Sequence, residues 1–495
     1  KTAYEIRLSL VGSEMCIRDS YGLVIGGLIF LNTWDGPIYA FAIVGAEGVR
    51  RLIQQGRLTA KDWRGLIGLG LALLLVAVVA YLPFIVAFRS QAAGVVPNLV
   101  YPTLFRQFGI MFAPLLLILV PFIAIELWRA RGRLNWRFGI QTGLTVLVIL
   151  IALMILTPIM GYVIPATRDQ MTNFIETNGG LGRVLSLVVT KRFTHSLTAI
   201  LLTIGVILLL ARMFPRVRRR KIEDAESDNE SIYPPATGFA LLLVGLGVML
   251  TLVPEFVYLR DNFSTRMNTV FKFYYEAWVV WSIAGAYAVY TILSDHQLRL
   301  PSVPVRAAFV GVLAVVFTLG LMYPIAGVYH RAIVEPGRLV ADIPVTLDGG
   351  PTFTWADDYQ TIMCLDQLVE GNDVIVAQAV GGQYQGEFGM IGTLTGIPVL
   401  LNWVGHQNQW RGSTYGEIAG TREADLQTLF SSPTWRDASI VIDRYGIDYI
   451  MFGNTERSTF GAENEIKFLD NLEIVCESGG SRIFRVPPET VLFSE

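Results

Sequence analysis

The chain has 495 residues, 53% of them hydrophobic and only 16% charged, with a net charge of −2 and a mean hydropathy of +0.49. This balance excludes a purely globular enzyme and points to an α-helical polytopic membrane protein with a soluble appendage. The arginines cluster between apolar runs, where membrane topology accounts for them, so membrane lipid is an expected partner and nucleic acid is not.

Residues 1–20, KTAYEIRLSLVGSEMCIRDS, have neither the apolar core nor the small-residue cleavage site of a signal peptide. The string SLVGSEMCIRD resembles a translated sequencing-adapter tail found at the ends of genes assembled from environmental DNA. We set 1–20 aside as a non-native leader and read the rest as an N-terminally truncated fragment. The first apolar run, 21–45, is interrupted by Asn32-Thr33-Trp34-Asp35-Gly36-Pro37. Proline and glycine there are expected to break the helix. Broken backbone at membrane depth is tolerated only against protein or a wet cavity. Asp35 is therefore either a cavity-facing carboxylate or a cap on the second half-helix, and both can hold together.

Seven further runs of membrane length follow, at 66–88, 108–128, 138–164, 196–214, 238–259, 271–293 and 307–328. With the first they make about eight transmembrane segments, a helical domain over 21–328. Alternate connections are rich in arginine, near 50–64, 129–137 and 212–221, which makes them cytoplasmic by the positive-inside rule. The connections at 89–106, 166–192 and 260–268, and everything after 328, are then expected outside. The acidic 223–230 stretch reads as a solvated linker.

The segment 254–281, PEFVYLRDNFSTRMNTVFKFYYEAWVVW, joins two of these runs through unusually dense charge. Each ionised group at bilayer depth costs roughly 2.5–3.5 kcal/mol on insertion scales, so such residues carry a functional expectation. With 271 onward helical, Lys272 and Glu276 stand four apart and neutralise each other, leaving Arg260 and Arg266 for an anion. An interfacial loop with an aromatic belt is the plainer alternative.

Residues 329–495 read as a soluble α/β domain, since their apolar runs are short and punctuated by Gly, Pro and Asp. Helices are expected at 355–369, 423–430 and 435–445, strands at 374–380, 398–401 and 448–452, and a closing hairpin at 472–476 and 482–486. The stretch 402–412, NWVGHQNQWRG, is expected to be a loop in which His406, Gln407, Trp410 and Arg411 stack on and hydrogen-bond to a sugar, or else a solvated loop anchored by its tryptophans. Cys364 and Cys476 pair only if the fold brings them together, and the expectation is that they stay apart. No HExxH or P-loop pattern signals zinc or nucleotide.

Three blocks, RMNTVFKFYYEAW at 266–278, LNTWDGPIY at 31–39 and the HQNQWRG stretch, together resemble the YYY membrane-protein family (the Chlor_Arch_YYY domain). This uncharacterised group is placed in the GT-C superfamily of lipid-linked-sugar glycosyltransferases. The resemblance covers nearly all of the chain after the leader. It implies many membrane helices, an outer-face soluble domain and a polyprenyl-phosphate-linked sugar as donor. Such enzymes keep an essential acidic residue in the first outer loop, a region expected to be missing here, so the fragment is expected to be catalytically incomplete. Within that frame Asp35 and Asp261 are candidate base or metal ligand, with a divalent metal left open. Arg260, Arg266 and Lys272 are candidates for the lipid phosphate, with Asn32, Asn268 and Glu276 supporting. A transporter or flippase, and an envelope scaffold that binds polysaccharide without chemistry, are the rival readings.

Overall fold

Apolar runs of bilayer length satisfy their backbone polar groups in lipid by becoming helices, and the first part of this chain does so throughout. A computed structural model describes residues 19–88, 94–216, 232–260, 265–294, 302–341, 349–350, 355–371, 373–382 and 385–487. Two compact units emerge, 1–323 and 324–495.

In the first unit the order is α1 (Asp19–Leu31), α2 (Asp35–Gln55), α3 (Ala60–Ala80), α4 (Leu82–Ala87), β1 (Val95–Pro97), α5 (Phe105–Arg129), α6 (Trp136–Val163), α7 (Pro165–Thr177), α8 (Leu181–His195), α9 (Leu197–Met213), α10 (Pro235–Leu252), β2 (Val257–Leu259), α11 (Met267–Ser294) and α12 (Val303–Tyr329). Among the described residues six helical spans are long and apolar enough to cross a membrane, or seven if α8 and α9, bent by 59°, count as one. The expectation from the sequence is about eight, counting the interrupted first run as one. The first run is divided at Asn32–Trp34 into helices of 13 and 21 residues, and the second of these carries Asp35, Glu47, Arg50 and Arg51.

α10 is the centre of the unit, buried by α2, α9 and α11. Its tightest approach is at Gly247, where a Cβ would lie 2.2 Å from Trp281 Nε1 of α11. The missing side chain lets the indole seat flat, and its N–H donates to Val244 O at 3.0 Å. A ribbon of β1 and β2, paired antiparallel with Val95 opposite Leu259, ties the two connections on which it lies. The connection 166–192, expected as a loop, is helical in α7 and α8.

The second unit contains α13 (Ala356–Leu368), β3 (Val376–Ala377), α14 (Met390–Thr395), α15 (Val404–Arg411), α16 (Arg422–Ser431), α17 (Trp435–Tyr445), β4 (Tyr449–Phe452), α18 (Asn454–Phe460), α19 (Ile466–Asn471), β5 (Glu473–Ser478) and β6 (Ser481–Arg485). Its sheet order is β3-β4-β6-β5, with β3 and β4 parallel and the other pairs antiparallel. The expected strand at 398–401 contributes a single parallel bridge, Val399 to Val376. Phe430, Phe452, Phe468 and Phe484 are fully buried around the sheet.

Two expectations are corrected here. The stretch 402–412 is the helix α15, ended by Gly412 at φ +57°, and not a loop. Cys364 and Cys476 form a disulfide, because α13 packs on β5 and brings their Cα atoms to 5.9 Å, within bridging range.

Candidate functional site

The helix break is where the first unit gathers its polar groups. Pro37 lies in the first turn of α2, where a missing N–H costs nothing, so the chain restarts as helix at Asp35. Gly36 lets α1 and α2 close on each other, since a Cβ there would sit 2.3 Å from Ile29 Cγ1. The N-cap position is Trp34, which makes no side-chain capping hydrogen bond, and Asp35 is the first helical residue. Its carboxylate accepts from Asn32 Nδ2 at 2.7 Å, while Asn32 Oδ1 accepts from Lys272 Nζ of α11 at 3.3 Å. The Lys272 ammonium lies 4.9 Å from the centre of the Trp34 ring, a cation–π distance, and Trp34 packs edge-on against Phe273. One turn beyond Asp35, Tyr39 donates to Glu276 at 2.6 Å.

The structure brings Asn32, Asp35, Lys272 and Glu276 into one neighbourhood, with partners other than those expected. The expected Lys272–Glu276 pair is replaced by contacts from each residue to the break. Tyr39 was missed, although its i+4 spacing from Asp35 puts both on one face.

Arg266 is elsewhere. Its Nη1 lies 3.0 Å from the fully buried Glu255 carboxylate, and its Nη2 donates to Thr103 Oγ1 at 3.0 Å. Glu255 also accepts from the Thr103 N–H at 2.9 Å and from the Thr103 hydroxyl. Arg192 reaches Asn98 O alongside and stacks over Phe256. The reading of Arg266 as unpaired is therefore corrected: a carboxylate at zero exposure demands a cation, and Arg266 supplies it. Thr103, two residues before α5, gave no sequence signal.

Arg260 is half-buried, and its backbone N–H extends the ribbon to Gly94 O at 2.9 Å. Asn268 is half-buried in the first turn of α11. Asp261 lies outside the described residues. No cluster of three or more His, Cys, Asp or Glu that could hold a metal occurs among the described residues.

Beneath the break is a cavity of about 930 Å³, lined mainly by apolar side chains including Leu28, Leu69, Leu73, Leu243 and Val280. Tyr39 belongs to both places, its ring on the cavity and its hydroxyl on Glu276. In the second unit, α15 carries the four proposed sugar-binding residues. Trp410 is 70% exposed, Arg411 Nε donates to Gln407 Oε1 at 2.9 Å, and His406 packs on Trp403 with ring centres 5.7 Å apart.

Neither a curated protein nor a solved structure matches the chain. A family model described as "Uncharacterized membrane protein (DUF2298)" matches residues 10–281, taking in part of the stretch set aside as a leader and ending within α11. That span covers more than half of the 495 residues and includes the helix break, the Glu255 cluster and Lys272; the chain belongs to the DUF2298 family of membrane proteins.

Proposed function

We propose that this chain carries part of a membrane glycosyltransferase of the GT-C type, moving a sugar from a polyprenyl-phosphate donor to an acceptor hydroxyl at the outer membrane face. The observation that carries the reading is the helix break, where Asn32 links the Asp35 carboxylate to the Lys272 ammonium one helical turn from Tyr39, a residue of the apolar cavity's wall. Asp35 takes the acceptor's proton as its oxygen attacks the anomeric carbon. Lys272 offers a point charge to the departing phosphate, and a preorganised charge is most effective where water is scarce. The prenyl chain lies along the cavity wall past Tyr39. Arg266 is committed to Glu255; Arg260 is kept as a proposed phosphate contact. His406, Gln407, Trp410 and Arg411 on α15 suit stacking on and hydrogen bonding to sugar. The Cys364–Cys476 disulfide supports an oxidising, extracytoplasmic setting for the second unit.

The test is transfer of radiolabelled mannose or glucose from polyprenyl phosphate in membranes containing the full chain. Asp35→Asn and Lys272→Ala are each expected to lower transfer by about 10²-fold or more. Native transfer rates in both variants would overturn the assignment. A second reading, a transporter or flippase, is favoured by the second interruption between α8 and α9, since paired discontinuous helices line transport paths. Uptake of the same lipid-linked sugar into liposomes without transfer would select it.

A further inference from the structure

In the second unit the carboxyl ends of the parallel strands β3 and β4 close over a small cavity with room for the centre of one water molecule, about 10 Å³. Asp358 of α13, Gln378 and Ala379 beyond β3, Glu387, and Glu456 of α18 line it. Gln378 is 4% exposed. Its Oε1 accepts from the Ile391 N–H at 3.2 Å, which fixes the amide's orientation, and its Nε2 has no hydrogen-bond partner. A buried donor without an acceptor is strongly disfavoured.

Glu456 is 2% exposed and spans both strand ends. One carboxylate oxygen accepts the Ala379 N–H at 2.7 Å and the other accepts the Gly453 N–H at 2.8 Å. Asp358, 3% exposed, accepts from the backbone N–H of Asn454 at 3.0 Å, from its side-chain Nδ2 at 2.9 Å, and from the Ser481 hydroxyl. Among the described residues Asp358 and Glu387 are the other titratable groups on this cavity. Arg457, next on α18, turns to Glu465 at 2.8 Å.

We propose that this cavity is a one-water site, the water accepting from Gln378 Nε2 and donating to the Glu456 carboxyl, and that proton uptake by Glu456 sets how firmly the ends of β3 and β4 are stapled. Burial raises the Glu456 pKa to about 7 against the backbone N–H groups of Ala379, Gly453 and Glu456 itself, which lower it, and Asp358 adds to the rise. A carboxyl whose folded pKa is raised holds its proton more tightly folded than unfolded. The closed strand ends are therefore most stable against opening below the ordinary value of 4.5 and lose that stability as the pH climbs to about 7, because the buried charge, and not the N–H bonds, sets the cost. Loosening reaches α15, because Gly381 O and Gly382 O accept the Val404 and Gly405 N–H groups at 3.2 and 3.1 Å.

Hydrogen exchange of the full chain in lipid nanodiscs between pH 5 and 8 tests this. Protection at Ala379 and Gly453, corrected for intrinsic rate, is expected to fall by up to about tenfold per pH unit between 5 and 7. Glu456→Gln is expected to abolish the slope. Gln378→Leu, which keeps the carboxyl and removes the water's donor, is expected to keep the slope and move its midpoint up by roughly half a unit or more. Flat native protection, or a slope surviving in Glu456→Gln, overturns the staple. A midpoint unmoved by Gln378→Leu overturns the water.

Discussion

Replacing Arg266 by Met separates a structural arginine from a phosphate-binding one. Glu255 is wholly buried and is held by Arg266 Nη1 at 3.0 Å, the Thr103 N–H at 2.9 Å and the Thr103 hydroxyl. Without the guanidinium the carboxylate keeps only neutral donors, and breaking one side of a buried pair costs about 3–5 kcal/mol. The Arg266 side chain retains 17% exposure, so water already screens it in part and the lower end, about 3 kcal/mol, is expected. At 2–4 °C per kcal/mol this lowers the melting midpoint by about 6–12 °C. The assay is tryptophan fluorescence of the purified full chain on heating, since Trp278 and Trp281 lie in the same packed cluster. The double variant Glu255→Gln, Arg266→Met is expected to recover part of the loss, because no buried carboxylate is then left without its cation, while Arg192 alongside loses the Glu255 charge. Melting within about 1 °C of the native chain, coupled with lost polyprenyl-phosphate binding, would refute the reasoning and return Arg266 to the phosphate.

Breaking the Cys364–Cys476 bridge with Cys364→Ser frees a loop of sequence separation 112 and is expected to cost the second unit about 3–5 kcal/mol. Differential melting with and without reductant measures it, and ready maleimide labelling of both thiols in the unreduced, folded chain would contradict the bridge. Gly247→Ala puts a methyl group 2.2 Å from Trp281 Nε1 and forces the indole off its bond to Val244 O. Overpacking of this kind costs about 1–3 kcal/mol, read as a lower aggregation midpoint in detergent, and an unchanged midpoint would show that the α10–α11 contact yields easily.

Apolar length made the membrane helices legible, because a run of bilayer length has one way to satisfy its backbone. The interruption at Asn32–Pro37 was legible for the same local reason: Pro37 and Gly36 act on the chain where they stand. Partner choice was not. Spacing along α11 pointed Lys272 at Glu276, yet a contact four residues away competes with any contact that packing supplies. Here packing supplied Asn32 and Tyr39, 240 and 237 residues distant. Arg266 was misread likewise, since its partner Glu255 lies across an irregular connection with no periodicity to measure. The disulfide depended on α13 lying against β5, a tertiary fact, whereas the helix at 404–411 was obscured by a composition that suits either a loop or a short helix.

Those misreadings share a cause that also explains why the break lies where it does. Helix ends at membrane depth leave N–H and C=O groups that lipid cannot satisfy, so a break survives only when another element covers it. α11 provides that cover: Lys272, Phe273 and Glu276 recur at helical spacing and meet Asn32, Trp34 and Tyr39 in turn. The charged residues of α11 are thereby tolerated within an apolar helix, and the broken backbone of the first run is tolerated within the bundle, each by means of the other. Asp35 follows as a consequence of this mutual cover. Its carboxylate is turned from the helix end toward the Asn32 amide, whose other side holds Lys272, so acid and cation are set in one geometry before any ligand arrives.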